Sequence, residues 1–364
     1  MNTNTLPHIV LRDPEGAREN LLPLSFTRPL SELRLGILTL REKWERMLPG
    51  FYSWETAPYL APKFPRTNEP ALYTIDSDII PTQAYVDALT RGIDCEPRRI
   101  EHLYDIFLLN GEAIEADYRL ITEGRESMPL PESNTLIGDR SRLFIEPGAK
   151  VEGAILNTTG GPIYIGPDAE VMEGCCLRGP IAVCEHATVN MGTKIYGATT
   201  IGPRCKVGGE LNNVVMIGYS NKAHDGFLGN AVIGEWCNLG AGCVASNLKN
   251  DYTEIKLWNY PAHRFLKTGL QFCGLIMGDH SKAGINTMFN TATVVGVGVN
   301  IHGSGFPRNF IASFSEGGAS GFNDVPLNKF YDIATRMMAR RGKTLTDVDR
   351  DIFQYIYDYA DRFK

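Results

Sequence analysis

The 364-residue sequence has no Cys-x-x-Cys pair, no long apolar run and no surplus of basic residues, and each absence removes a class of function. Without paired spacing, the eight cysteines (95, 175, 176, 184, 205, 237, 243 and 273) do not read as a zinc ribbon or a redox motif. Most sit in apolar, glycine-rich surroundings, which predicts small buried side chains in a reducing compartment rather than bridges. No stretch approaches the ~18 apolar residues of a membrane helix, and MNTNTLPHIV lacks a basic-then-apolar signal, so a cytoplasmic protein is expected. Lys and Arg total 36 against 42 Asp and Glu, a formal charge of −6. A nucleic-acid partner is therefore not expected, because phosphate contacts need excess basic charge.

Glycine is what the sequence has in excess: 37 residues, about 10% where ~7% is usual. Hydrophobic residues at 43% and charged residues at 21% describe a globular chain, and its length implies two or three domains. The glycines accompany a repeat. Stepping by six from Ile165 gives Val171, Leu177, Val183, Val189, Ile195, Ile201 and Val207, an aliphatic residue every time. With aliphatics near one residue in four, chance produces such a run with a probability on the order of 10⁻⁵. Shifted phases run through Ile233, Leu239 and Ala245, and then through Met277, Ala283, Phe289, Val295 and Ile301. A period of six fits short strands separated by turns that tolerate positive φ. The pattern resembles the left-handed parallel β-helix, in which three hexads form one triangular coil and stacked coils share a core. The phase breaks at 208–232 and 246–276 are expected to be loops leaving the prism.

Both flanks differ, so a mixed fold is expected: an N-terminal α/β domain over 1–127, the β-helix over 134–322 and a helical extension over 323–364. His8–Leu11 and Ala71–Ile75 read as strands. Apolar positions at 30, 33, 37, 40, 44 and 47 predict one long helix. The four-proline segment 51–70 reads as loop, and a helix is expected after Pro81, stopping at Gly92. Residues 326–342 and 345–362 read as two helices, the second opened by a Thr346/Asp349 capping box. They are expected to cover the open end of the prism.

The densest polar cluster is GGELNNVVMIGYSNKAHDGFLGNAVIGEWCNLGAGCVASNLKND, residues 208–251, followed by MGDHSKAGINT at 277–287. These runs resemble the acetyltransferase half of the bifunctional glucosamine-1-phosphate N-acetyltransferase / N-acetylglucosamine-1-phosphate uridylyltransferase family, in particular its shorter Bacteroidetes form. The stretch LLPLSFTRPLSELRLGILTLREKW, residues 21–44, resembles a degenerate sugar nucleotidyltransferase start. The resemblance implies His224 as catalytic base, Glu210, Asn212, Phe227 and Asn238 at the acceptor, and Ala241 and Asn247 beside acetyl-CoA. It also implies a homotrimer acting in cell-envelope precursor synthesis. The family has lysine where this chain has Asn212 and tyrosine where it has Phe227, which leaves the acceptor sugar open. The chemistry is self-consistent. A thioester carries its own leaving group, so a neutral histidine that takes a proton from the amine suffices. Backbone N–H groups around Gly240–Gly242 are candidates for holding the oxyanion. The basic neighbours Arg178, Lys194, Arg204, Lys206 and Lys222 are candidates to replace the missing charge, against the plainer expectation of a solvated prism face.

A nucleotidyltransferase needs a glycine-rich loop to cradle a triphosphate. Here that place, residues 11–24, holds one glycine and three carboxylates: Asp13, Glu15 and Glu19. If UTP is used, Arg18, Arg28 and Lys43 are the candidate phosphate ligands and Asp78 the candidate Mg²⁺ ligand. The rivals to acyl transfer are a sugar-1-phosphate nucleotidyltransferase whose β-helix only oligomerises or regulates, and a non-catalytic scaffold.

Overall fold

The computed structural model describes residues 6–364; residues 1–5, part of the stretch read for a signal, lie outside the described residues. The hexad positions turn inward as the period demands. Ile165, Val171, Leu177, Val183, Val189, Ile195, Ile201 and Val207 are each at most 1% exposed, and the later phases are nearly as well buried. Burying one such side chain contributes about 1.5–3 kcal/mol, and here the contributions add along one continuous column. Strands of two to four residues stack in parallel, as where Glu170–Val171 pairs with both Lys150–Val151 and Thr188–Val189. The result is a left-handed parallel β-helix.

Its three faces have different fates. One, running from Thr135–Ile137 through Ile155–Asn157, Cys176–Arg178 and Lys194–Tyr196, alternates exposed and buried residues and is open to solvent. A second, running from Leu143–Ile145 through Ile163–Ile165, Ile181–Val183 and Thr199–Ile201, is buried on both sides beneath the N-terminal domain. There Phe144, Tyr164, Ala182 and Cys184 pack against Ile37, Leu38 and Ile114. The third, which includes Lys206–Val207, Asn221–Lys222, Asn238–Leu239 and Lys282–Ala283, is partly covered by the helix Leu327–Ala339.

The first phase break is not a loop. Glu210–Gly218 and Phe227–Glu235 are nine-residue strands that run across a corner and pair from Glu210↔Phe227 to Gly218↔Glu235. Asn213 and Asn230 turn that corner at φ 59° and 46°, so one left-handed asparagine replaces a longer turn. The shortened corner shifts the hexad phase without expelling chain. The second break does leave the prism, as an antiparallel hairpin of Lys256–Asn259 and Arg264–Lys267. Its Trp258 ring stacks on Phe310 with centroids 4.1 Å apart.

In the N-terminal domain His8–Arg12 is the centre of a three-stranded parallel sheet, between Phe51–Glu55 and Tyr73–Asp76. The strand Phe51–Glu55 corrects the expectation of loop from residue 51, since all four prolines follow it. The long helix is also corrected. Helix occupies only Leu40–Met47, opened by a Thr39/Glu42 capping box, while Arg34–Leu35 and Leu38–Thr39 form a small hairpin. Gly36 lies at φ 79° in its turn, where an added Cβ would stand 2.5 Å from an Asp117 carboxylate oxygen. The helix Gln83–Arg91 ends at a left-handed Gly92.

The C-terminal helices are Leu327–Ala339 and Asp347–Ala360, the second with its Thr346/Asp349 capping box. They lie along the side of the prism rather than across its end. The last coil is instead finished by an antiparallel hairpin, Ser315–Gly318 with Gly321–Asp324, which blunts the terminal edge. Six cysteines are buried, several in the prism core, while Cys95 and Cys176 are exposed.

Candidate functional site

His224 sits at the corner where the third face turns into the open face, between the strands Asn221–Lys222 and Phe227–Glu235. Its side chain is exposed, while the backbone beneath it is tied down. Asn190 Nδ2 donates to the Ala223 carbonyl at 2.7 Å, and the Gly242 N–H donates to the Asp225 carbonyl at 2.9 Å. Lys222 corrects both expectations made for it. It occupies an inward hexad position, wholly buried, where Nζ donates to the carbonyls of His224 at 2.7 Å and Gly208 at 3.1 Å. Burial pulls this ammonium down to about 8. The lysine therefore fixes the corner from within the prism and does not reach out to a ligand. Gly226, at φ 131°, completes the turn: an added Cβ would stand 2.0 Å from the Cys243 carbonyl oxygen.

Register brings Glu210, Asn212 and Phe227 together on the open face beside this corner. Glu210 pairs with Phe227 and Asn212 with Gly229 on the next coil. Glu210 accepts a hydrogen bond from the Tyr196 hydroxyl, one coil earlier, which fixes its carboxylate. Tyr196 was missed in sequence; its outward position two residues after Lys194 is the signal that could have found it. Ala241 lies one coil further along the His224 corner, its carbonyl accepting from the Asn286 N–H at 2.8 Å. The structure does not gather the two remaining residues there. Asn238 faces outward on the third face, next to Asn221 in register. Asn247 lies at the opposite edge of the open face, where Nδ2 donates to Asn230 Oδ1 at 2.8 Å.

In the first domain all four nucleotide candidates are engaged by protein. Arg18 is buried, donating to the Ser25 carbonyl at 3.0 Å and the Tyr59 hydroxyl at 2.8 Å. Arg28 reaches into the β-helix, pairing with Asp279 and lying 3.3 Å from Glu235, so it joins the domains. Lys43 pairs with Asp117 inside the domain. The Asp78 carboxylate meets Arg99 at 2.6 Å, with burial pushing it up, and this arrangement does not fit a Mg²⁺ ligand. No group of three or more His, Cys, Asp or Glu placed to hold a metal occurs among the described residues. Nor does any helix there have the length and apolarity to cross a membrane. The loop expected to cradle phosphate is tied from within. Asp13 accepts from the Leu30 N–H at 3.0 Å and from the hydroxyls of Thr56 and Ser77. Burial nevertheless raises its pKa.

Residues 9–94 match the family described as sugar nucleotidyl transferase. A bifunctional sugar-1-phosphate nucleotidylyltransferase/acetyltransferase from Sulfurisphaera tokodaii is 26% identical over 144 residues, 39% of this chain and 35% of that protein. The bifunctional protein GlmU of Synechococcus elongatus is 24% identical over 170 residues, 44% of this chain and 33% of that protein. GlmU of Corynebacterium glutamicum is 29% identical over 167 residues, 43% of this chain and 30% of that protein. The matched stretch thus spans about a third of these relatives' length. A solved structure of a mutant of AntD, an N-acyltransferase from Bacillus cereus, aligns at a TM-score of 0.21 and 12% identity, over 53% of this chain and 81% of that one. A likeness at that score carries no argument. Over these stretches the chain is similar to a sugar nucleotidyl transferase and to bifunctional sugar-1-phosphate nucleotidylyltransferase/acetyltransferases.

Proposed function

We propose that the β-helix transfers an acetyl group from acetyl-CoA to the amine of an aminosugar phosphate, with His224 as general base. The carrying observation is the corner itself: an exposed imidazole on a rigidly tied backbone, beside Glu210 and Phe227 in adjacent register. In this mechanism the amine attacks the thioester carbonyl and a C–N bond forms. His224 takes the amine proton, the C–S bond breaks, and the proton passes to the departing thiolate. Glu210, fixed by Tyr196, orients the sugar, and Phe227 gives it an apolar wall. The expectation of an oxyanion site at Gly240–Gly242 narrows to the Ala241 N–H, because the Gly240 and Gly242 N–H groups already donate to the Ala283 and Asp225 carbonyls, each at 2.9 Å.

The working unit in this proposal is a homotrimer in which a neighbouring prism completes the cleft. Supporting it, Met191 and Ile285 lie 70% and 71% exposed, each in a turn of the prism, and Ile137, Ile155, Tyr196 and Val244 are exposed on the open face. Such apolar exposure marks an interaction surface. Sedimentation that shows only monomer at micromolar concentration would contradict it.

The sugar nucleotidyl transferase match favours a second reading, UTP-dependent nucleotidyl transfer in the first domain. Against it stand the engaged Arg18, Arg28, Lys43 and Asp78. Two assays separate the readings. Free thiol appearing with acetyl-CoA and glucosamine-1-phosphate supports acyl transfer. Pyrophosphate appearing with UTP, Mg²⁺ and a sugar-1-phosphate supports the second.

A further inference from the structure

Between the third prism face and the helix Leu327–Ala339 lies a cavity of about 750 Å³ whose charge is one-sided. Lys206, Lys282, Arg336, Arg340 and Arg341 line it, and no carboxylate does, in a chain whose net charge is −6. The hydrogen bonds these cations make go to neutral acceptors. Lys282 Nζ donates to the His280 carbonyl at 2.8 Å and Arg341 to Asn221 Oδ1 at 3.2 Å. By contrast, Arg18, Arg28, Arg41, Lys43 and Arg99 in the first domain are each paired with a carboxylate. Burial holds Lys282 down at about 8, as expected of an ammonium without a counter-charge.

The arrangement is built rather than scattered. Lys206, Asn221, Asn238 and Lys282 are successive register partners on one face, a Lys-Asn-Asn-Lys ladder. At ~4.8 Å per rung, the backbones of its two lysines stand about 14 Å apart, one at each end of the ladder. Arg336 projects from the last turn of the facing helix and Arg340 and Arg341 from the turn that ends it, where guanidinium forks suit phosphate oxygens. Trp236 and Tyr219, stacked with centroids 4.3 Å apart, add an aromatic wall. Ala223, the residue before His224, lines the same cavity.

We infer that this cavity binds a nucleoside diphosphate ester, holding its diphosphate between the ladder lysines and the arginines at the C-terminal end of the helix. The inference deepens the proposed function, and it rests on that reading only for the use made of the ligand at the neighbouring His224. Two substrates carry the shared chemistry: coenzyme A and a nucleotide sugar.

Calorimetric titration of the full chain with ADP, coenzyme A and UDP-N-acetylglucosamine tests it without turnover, so failed binding and failed acyl transfer are separate results. ADP should bind, and more weakly as salt rises, because the contact is between charges. Arg336→Gln/Arg340→Gln, both exposed at the C-terminal end of the helix, should reduce ADP affinity at least tenfold with an unchanged melting curve. Lys282→Met should do the same from the opposite wall. Tighter binding of coenzyme A than ADP, lost in both variants, assigns the cavity to the acyl donor. Tighter binding of the nucleotide sugar, equally lost, assigns it to the other substrate. No ADP binding at millimolar concentration, or binding that both variants leave intact, overturns the inference.

Discussion

Replacing Lys43 with methionine separates two roles that predict opposite outcomes. Lys43 is 2% exposed and meets the equally buried Asp117 carboxylate, which also accepts from the N–H groups of Ile37 at 2.8 Å and Leu38 at 3.0 Å. Burial pulls the ammonium down and pushes the carboxylate up, so each charge is held in place mainly by the other. Removing the ammonium leaves a buried carboxylate with two amide donors. Breaking such a pair from one side costs about 3–5 kcal/mol. With a urea dependence of ~2 kcal/mol/M, the midpoint for the first domain should fall by about 1.5–2.5 M. Trp44, the next residue and fully buried, reports that transition by fluorescence. Lys43→Met/Asp117→Asn keeps an oxygen for the two N–H groups and removes the orphaned charge, so it should recover about half of the loss or more. The pH dependence follows from the raised carboxylate. In Lys43→Met the folded pKa of Asp117 exceeds its unfolded value, so the penalty is full above the folded value and recedes as pH falls toward the unfolded one. A midpoint within about 0.3 M of wild type, with UTP affinity lost, would refute the reasoning and return Lys43 to the surface.

Three further outcomes are expected. Lys222, pulled down to about 8 in the folded chain, makes the wild type gain stability relative to Lys222→Met as pH rises from 8 to 10, by up to about 3 kcal/mol; paired denaturation curves across that range check it. Gly226→Ala should cost about 2–4 kcal/mol in thermal unfolding, because its Cβ would stand 2.0 Å from the Cys243 carbonyl oxygen; an unchanged melting temperature would mean that the corner yields freely. Phe227→Tyr, which introduces the hydroxyl of the resembling family, should raise kcat/KM for glucosamine-1-phosphate if that sugar is the acceptor. No change, or a fall, would point to a different aminosugar.

The parts of this fold that follow from period were legible in sequence, and the parts that follow from partners were not. Ile165 to Val207 point inward because a hexad strand leaves no other choice, and their burial is nearly complete. The apolar stripe at 30, 33, 37, 40, 44 and 47 reads as a helix, and Leu30, Leu33, Ile37, Leu40 and Trp44 are indeed all buried. Gly36 and the Asp117 carboxylate, 80 residues from Ile37, break that stripe into a hairpin, and no local pattern reports such a contact. The same limit applies to the site. His224 and its neighbours share one motif and one corner, whereas the fate of Lys222 depended on which face of a two-residue strand it took. Asn238 and Asn247 lie near His224 in sequence, but one sits around the corner and the other across the open face. The arginines at 336, 340 and 341 come from the end of a helix and the turn after it, with no tie to the repeat, and only packing brings them to Lys206 and Lys282.

The central claim is acyl transfer at the His224 corner, and the most direct measurement is N-acetylated sugar phosphate formed from acetyl-CoA by wild type and His224→Ala, with melting curves alongside. The wild type should give product, the variant a kcat lower by about 10²–10⁴, and the two melting curves should superimpose, since the exposed side chain carries no packing role. Equal rates from both proteins, or lost activity accompanied by a collapsed melting temperature, would contradict it.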